Sequence, residues 1–434
     1  MLRFIGTYGV RQLIDQKLMK QELIQERIHN LRCSDYPKER IKALEKLRSN
    51  FLSLPDKEMA GNDLHKLIKD DNSDVRRFAT LVLSELFYCI QDQQQAWNDL
   101  HKRTRDIDND VKWVAAFAIG IVFSKIPDQQ QAWGDLHRLT YDENNNIRGM
   151  AAKSLRSAFS HVSDKESVWS DLHRLTYDED NSVRGVAAVT LGSSYSHIPN
   201  KEMALKDLYR LANDEDRVIR SETYRSLGKV FIFNASQTER EEDYRKELEK
   251  AIEFFEKAIE FFEKASTESV FLSPSRFCLP FYRSFHTILF KKQEAKEEVD
   301  KYLAEAKDAI EGSKSKELLF EAVNNLANAL KQVQNVENLD LEAMKNELSF
   351  YRKYCDRASE LMKDAEEITP FATIALRKGL PILDRNLKEF LEEIQKKTEI
   401  ISEQTKGTQF EELGNELNQN SQFLLQVRHV NGGE

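Results

Sequence analysis

Trp97-Asn-Asp-Leu-His101, Trp133-Gly-Asp-Leu-His137 and Trp169-Ser-Asp-Leu-His173 are one phrase written three times at a spacing of 36 residues. Outward from these, Gly61-Asn-Asp-Leu-His65 precedes them in phase and a degenerate Leu205-Lys-Asp-Leu-Tyr209 follows. Residues 61–240 therefore hold five copies of one unit, with a fainter copy ahead of them. A fixed period of this length belongs to stacked units that each bury an apolar face against their neighbours, so the chain presents an extended surface and not one central pocket.

Each unit reads as a helical hairpin. Asp56, Asp92, Asp128, Asp164 and Asn200 open the copies with side chains that accept from the free N–H groups of a helix start. Ala60, Leu64, Leu67 and Ile68 then recur at helical spacing and define helix A, which ends at a polar break such as Asp70-Asp-Asn-Ser73. Helix B follows with the stripe Val75, Ala79, Val82, Leu83, Leu86, and in the next copy Val111, Ala115, Ala118, Ile119, Val122. The faint first copy places Ile28, Leu31, Arg40, Ala43 and Leu47 in the same register, and residues 1–24 are expected to cap the open end of the array.

The junction between the helices carries an Asp and, six residues on, a cation preceded by Val or Ile: Asp70 and Arg76, Asp106 and Lys112, Asp142 and Arg148, Asp178 and Arg184, Asp214 and Arg220. This in-phase pattern resembles the HEAT repeats, in particular the subtype named after phycobilisome lyases, and covers about residues 25–240. The whole chain is similar to uncharacterised archaeal proteins in which such an array precedes a helical tail. The resemblance implies that these Asp and Arg/Lys residues form a structural ladder between successive repeats, and that helix B lines the inner, concave side.

Several constellations invite chemistry and fail a geometric test. His29, His65, His101, His137 and His173 share one phase of helix A, but equivalent atoms of adjacent repeats stand about 10 Å apart, too far for two imidazoles to share one zinc ion without other ligands. A half-exposed edge or a hydrogen bond between repeats is the reading for this column. No His is followed by Glu, the dyad that marks iron-dependent hydroxylases built on HEAT-like repeats. Asp106-Ile-Asp-Asn-Asp110 begins like a calcium loop, yet Val111 and Phe117 stand where Gly and Glu are required. No phosphate-cradling, serine-hydrolase or zinc-protease motif is present, so no catalytic residue, metal ligand or cofactor is assigned. The Trp97, Trp133 and Trp169 column lies at the margin of the apolar stripe and is read as sealing repeat against repeat, with a ligand platform as the alternative.

Trp113 is alone at its phase, which the other copies fill with Arg77, Gly149, Gly185 and Ser221. Around helix B, positions 77, 81, 84 and 88 lie opposite the buried stripe, and the next copy fills that row with Trp113, Phe117, Gly120 and Ser124. With Leu81, Tyr88, Lys153, Arg156 and Arg225 on neighbouring rows, this makes an aromatic patch grading into a cationic one. Exposed apolar clusters mark binding sites, and Trp, Tyr and Arg are favoured anchors. The alternative is that superhelical curvature or the C-terminal tail covers it.

After Phe233 the period lapses. Residues 251–257 and 258–264 are identical, Ala-Ile-Glu-Phe-Phe-Glu-Lys twice, and further helices are expected at about 276–292, 294–311, 314–335, 340–366, 371–405 and 408–428, broken at Gly312, Asn338, Pro370 and Gly407. Leu383, Leu387, Phe390, Ile394 and Ile401 form a heptad seam too short for a free coiled coil, and Phe410, Leu413, Leu417, Leu424 and Val427 make a second amphipathic row. A bundle packed on itself is expected at 236–434, with a dimerising rod as the alternative.

Residues 1–233 carry 35 Lys+Arg against 34 Asp+Glu, and residues 234–434 carry 29 against 39, so the C-terminal part holds the chain's net charge of −9. With a pI of about 5.7, general affinity for nucleic-acid backbones is not expected. Cys33, Cys89, Cys278 and Cys355 form no paired framework, and neither a signal peptide nor an apolar run long enough to span a bilayer is evident, so a cytoplasmic protein is expected. The sequence thus points to an all-α chain: a HEAT-like α-solenoid of about six helical hairpins over residues 25–235, then an acidic helical bundle. Its expected function is a non-catalytic scaffold that binds a protein partner on the concave face. The competing class is a HEAT-type enzyme, bilin lyase-like or modifying nucleic-acid bases.

Overall fold

A computed structural model describes residues 19–265, 273–291, 295–313, 316–336 and 339–360, with isolated positions 398 and 403. The chain is all-α, with no strand among these residues: a HEAT-like solenoid of helical hairpins followed by a helical bundle. It divides into two compact units, Met1–Leu211 and Ala212–Glu434. No described helix is long and apolar enough to cross a membrane.

In the first unit, helical residues 19–32 (α1) and Pro37–Asn50 (α2) form the faint first hairpin. The pairs Lys57–Leu67 (α3) and Ser73–Leu86 (α4), Gln93–Arg103 (α5) and Asn109–Val122 (α6), Gln129–Leu139 (α7) and Asn145–His161 (α8), and Lys165–Leu175 (α9) and Asn181–Ser194 (α10) follow, then Lys201–Leu211 (α11). Residues 19–24, expected to cap the array, are the first turns of α1 itself. The helix starts are set by side chains: Asp56, Asp92, Asp128, Asp164 and Asn200 accept from the N–H three residues on, closing helices A. Asn72, Asp108, Asn144 and Asp180 do the same for helices B.

The apolar stripes read from the period are buried, Leu64, Leu67, Val75, Ala79, Leu83, Ala115 and Ile119 almost completely. Small residues permit close approach of helices B: a Cβ on Gly120 would lie 2.6 Å from Ser154 Oγ, and Ser154 donates to the Ala116 carbonyl across the α6–α8 contact. Sequence reasoning overlooked a second periodic element. Phe51, Phe87, Phe123, Phe159 and Tyr195, also 36 residues apart, are buried where helix B ends, four of them in a short 3-10 turn.

The second unit opens with Arg217–Ala235 (α12), a helix B by phase, which packs on Glu241–Ala265 (α13). The period alone draws the array to residue 235, so α12 is what the two boundaries dispute. Gly228 lets Phe255 lie directly on α12, where a Cβ would come within 2.7 Å of the ring, and Ser221 donates to the Ala258 carbonyl. The duplicated heptad sets Phe254 and Phe261 on either side of Tyr224, with ring centroids at 6.0 and 5.3 Å. Ser275–Phe290 (α14), Glu298–Ile310 (α15), Lys316–Gln334 (α16) and Leu341–Glu360 (α17) complete the described bundle. Phe281 at its centre touches Phe285, Tyr302 and Tyr351. The helices expected at 371–405 and 408–428, the seam from Leu383 to Ile401 and the row from Phe410 to Val427 lie outside the described residues.

Candidate interaction surface

Three polar rails fix the register of the hairpins and so hold the helix-B face in place. In the first, the junction cation of one repeat reaches the Asp of the next, 30 residues on. Arg40 meets Asp70, Arg76 donates from both Nε and Nη2 to Asp106 at 2.9 and 2.8 Å, Lys112 reaches Asp142, and Arg148 repeats the bidentate pair on Asp178. The junction Arg residues also donate Nη1 to a carbonyl of their own junction: Arg40 to Ser34, Arg76 to Asp70, Arg148 to Asp142, Arg184 to Asp178 and Arg220 to Asp214. Burial pushes the Asp106 carboxyl up, but Arg76, the Asp108 N–H and Arg103 outweigh it and hold the group below its usual range.

The second rail uses the phrase that opened the sequence. His29, His65, His101, His137 and His173 place Nδ1 at 3.1, 2.7, 2.5, 2.6 and 2.6 Å from Asp63, Asp99, Asp135, Asp171 and Asp207 of the following repeat. The five carboxylates are only 1–3% exposed, while the imidazoles stand at a half-open edge. A buried carboxylate is tolerated because it is paired. Residue-level reasoning noted these Asp residues only as part of the phrase. Their signal was that Asp persists in all five copies while the residue just before it changes from Asn62 and Asn98 to Gly134, Ser170 and Lys206. The third rail runs backward: Arg138, Arg174 and Arg210 donate to the carbonyl and hydroxyl of Thr104, Thr140 and Thr176. Arg174 and Arg210 also lie 3.7 Å over the rings of Tyr141 and Tyr177.

The Trp column seals repeats in part. Trp97 is fully buried and donates Nε1 to Gln131 of the next repeat at 3.1 Å. Trp133 stacks on His137, and its buried Nε1 finds no acceptor. Ser167 occupies the phase of Gln131 there and turns its hydroxyl to Asp164.

On the helix-B row, Trp113 and Phe117 stack with centroids 5.9 Å apart and planes 10° from parallel, both half-buried. Leu81 is half-buried, Tyr88 is 50% exposed, and Lys153 and Arg156 are exposed on α8. Ile121, which sequence reasoning did not single out, adds an exposed apolar side chain on α6. Arg225 departs from the expectation: it lies in the second unit, is 5% exposed and pairs with Glu222, so it is not presented to solvent. The row is not open throughout, because Ser84 and Gly192 at its third position are buried where helices approach. Asp108, in the stretch that begins like a calcium loop, accepts from the N–H groups of Asp110 and Val111 and thereby caps α6. Among the described residues no group of three His, Cys, Asp or Glu is placed to hold a metal ion.

No protein-family model and no curated protein matches the chain. Among solved structures it is similar to the Pds5-Scc1 complex, at 14% identity and a TM-score of 0.39 over 86% of this chain and 62% of that one. It is similar also to the Mot1 N-terminal domain in complex with TBP, at 16% identity and a TM-score of 0.38 over 94% and 63%. The chain spans less than two thirds of the length of either.

Proposed function

We propose that the protein is a non-catalytic scaffold that binds a protein partner through the helix-B face of its repeats. The observation that carries this reading is the Trp113–Phe117 stack, an aromatic pair left half-open on a face where the other copies hold Ile41, Arg77, Gly149, Gly185 and Ser221 at the Trp113 phase. Three rails hold the backbone beneath it, so the surface is pre-organised and its ordering cost on binding is low. Leu81, Tyr88, Lys153 and Arg156 extend the patch along neighbouring helices. Four free cysteines fit a cytoplasmic setting.

The test is Trp113→Ala with Phe117→Ala in the full chain, beside Tyr141→Ala in the turn after α7 as a control. Both aromatics are half-buried, so the double change is expected to cost less than the roughly 3–5 kcal/mol of truncating a core aromatic. A partner recovered by the parent and by the control, and lost with the double variant, is the expected result. Unchanged recovery with the double variant, or a collapse of its melting temperature, would remove the site.

A further inference from the structure

One phase of helix A carries a side chain in every copy but one. Gln25, 6% exposed, bridges the Asp56 peptide there, accepting from its N–H at 3.0 Å and donating to its carbonyl. Trp97 lies fully buried, its ring 5.7 Å from that of His101 and its Nε1 on Gln131. Trp133 and Trp169 stand 5.4 Å from His137 and His173, and Leu205 is half-buried. Between Gln25 and Trp97 the phase falls on Gly61, in the middle of α3, where a Cβ would meet nothing within 4 Å. Neither a left-handed backbone nor a close approach calls for glycine at this position, and glycine inside a helix is unfavourable. Its consequence is a pocket of about 450 Å³, of the size that takes small ligands, lined by the buried Ile90, by His65 and Gln95, and by the exposed Lys57 and Glu58.

We infer that this pocket is a binding site for an indole ring from outside the chain. The next repeat carries the template, because His65 and Gln95 stand 36 residues ahead of His101 and Gln131, the two partners of the Trp97 ring. His65 is fixed by its Nδ1, 2.7 Å from Asp99, as His101 is fixed on Asp135. The Gln95 amide is anchored on the same carboxylate, to which its Nε2 donates at 3.1 Å, and its Oε1 is left to accept an indole N–H as Gln131 Oε1 does. An aromatic ring with one N–H donor meets both features, whereas a plain hydrocarbon ring meets only the first. Two sources carry such a ring, a free indole and a tryptophan side chain of another polypeptide. The pocket belongs to helix A, so the inference goes beyond the helix-B scaffold reading and does not rest on it.

The probes are indole, 1-methylindole, which lacks the N–H, and a capped Gly-Trp-Gly peptide, each titrated against the full chain by saturation-transfer NMR. Indole is expected to bind with a Kd of about 1 mM or lower, as suits a fragment of its size, and 1-methylindole about fivefold more weakly. Gln95→Ala should weaken indole by the same factor and leave 1-methylindole unchanged. Gly61→Trp should abolish binding of both and raise the melting temperature, because it supplies the ring that the next repeat already holds. Binding of the peptide assigns the site to a tryptophan side chain, and binding of indole without the peptide assigns it to a free indole. Absence of saturable binding, indole binding that survives Gly61→Trp, or a Gly61→Trp chain that melts below the parent would overturn the inference. Equal binding of indole and 1-methylindole would also overturn it, leaving an apolar cleft in which Gln95 accepts nothing.

Discussion

Asp99 and Asp171 sit at the same phase of two helices A, both buried and both facing a histidine, yet their carboxyls are held in opposite directions. Burial raises each; at Asp99 the bond to His65 together with Lys69 and Gln95 overcomes it, leaving the group below the usual carboxylate range. At Asp171 burial prevails over His137 and Arg174, and the group stays above that range. The cause is two substitutions between copies, Tyr141 at the phase of Lys69 and Ser167 at the phase of Gln95, whose amide donates to Asp99. Lys69 and Arg105 supply a second cation at 3.3 and 3.2 Å to Asp99 and Asp135, but the same phase then holds Tyr141, while Arg174 is turned to Thr140. An acid depressed in the fold adds stability above its unfolded pKa of roughly 4 and loses it as pH falls through the folded value; an acid raised in the fold does the reverse, favouring the fold at low pH. Asp99→Asn should therefore cost about 1.5–3 kcal/mol in a urea melt at neutral pH, Asp171→Asn clearly less, and the gap should close below about pH 4. Equal costs at neutral pH would show that the second cation is immaterial. Trp133 offers a further test: Ser167→Gln restores the acceptor that Gln131 gives Trp97 and should stabilise by about 1 kcal/mol, seen as a higher melting temperature, with Ser167→Ala neutral. No gain would mean that the Gln side chain prefers water. The sequence announced Asp, His and Trp as periodic, but pairing depends on the angle between successive hairpins, which a period does not contain.

Among the helices, boundaries were legible because caps are local: Asp56, Asp92, Asn72 and Asp108 mark starts that any reading of side chains can find. The apolar stripes followed from the 3.6-residue spacing. Glycines were not legible in this way, since identical residues inside helices B serve opposite ends. Gly120→Ala would press a methyl on Ser154, whose Cα backbone is itself 3.2 Å from the ideal Cβ, and Gly228→Ala would meet the Phe255 ring. Each is expected to destabilise by about 1–3 kcal/mol. Gly149→Ala would meet Val183 Cγ2 at 4.0 Å, an ordinary contact, and should gain about 0.5–1 kcal/mol through helix propensity. Chemical denaturation of the three variants orders them, and a Gly149→Ala chain less stable than the parent would indicate a contact on that face. The Phe51, Phe87, Phe123, Phe159 and Tyr195 series escaped notice although it obeys the period, because all but Phe159 follow the helix in a 3-10 turn where the helical wheel no longer applies.

For the molecule as a whole, the period places the end of the array after residue 235 while the compact units part after Leu211, and the difference can be measured. A fragment of residues 1–211 should melt cooperatively by circular dichroism, since nearest-neighbour packing needs no distant contact. A fragment of residues 1–235 would carry α12 without α13, baring Gly228, Tyr224 and Phe231, and should be the less soluble of the two. A longer fragment that is as soluble and melts higher would assign α12 to the array. The C-terminal half resisted reading because nothing in it repeats beyond one heptad, so its helices could be bracketed but their neighbours could not. The three rails have one more consequence. Each joins a residue to a partner 30 or 34 positions away, and every partner recurs after 36. Copying one complete unit into the chain returns a correct mate to every rung, whereas a partial insertion misdirects all three rails at its edge. Evolution can thus change the reach of this protein only in whole steps.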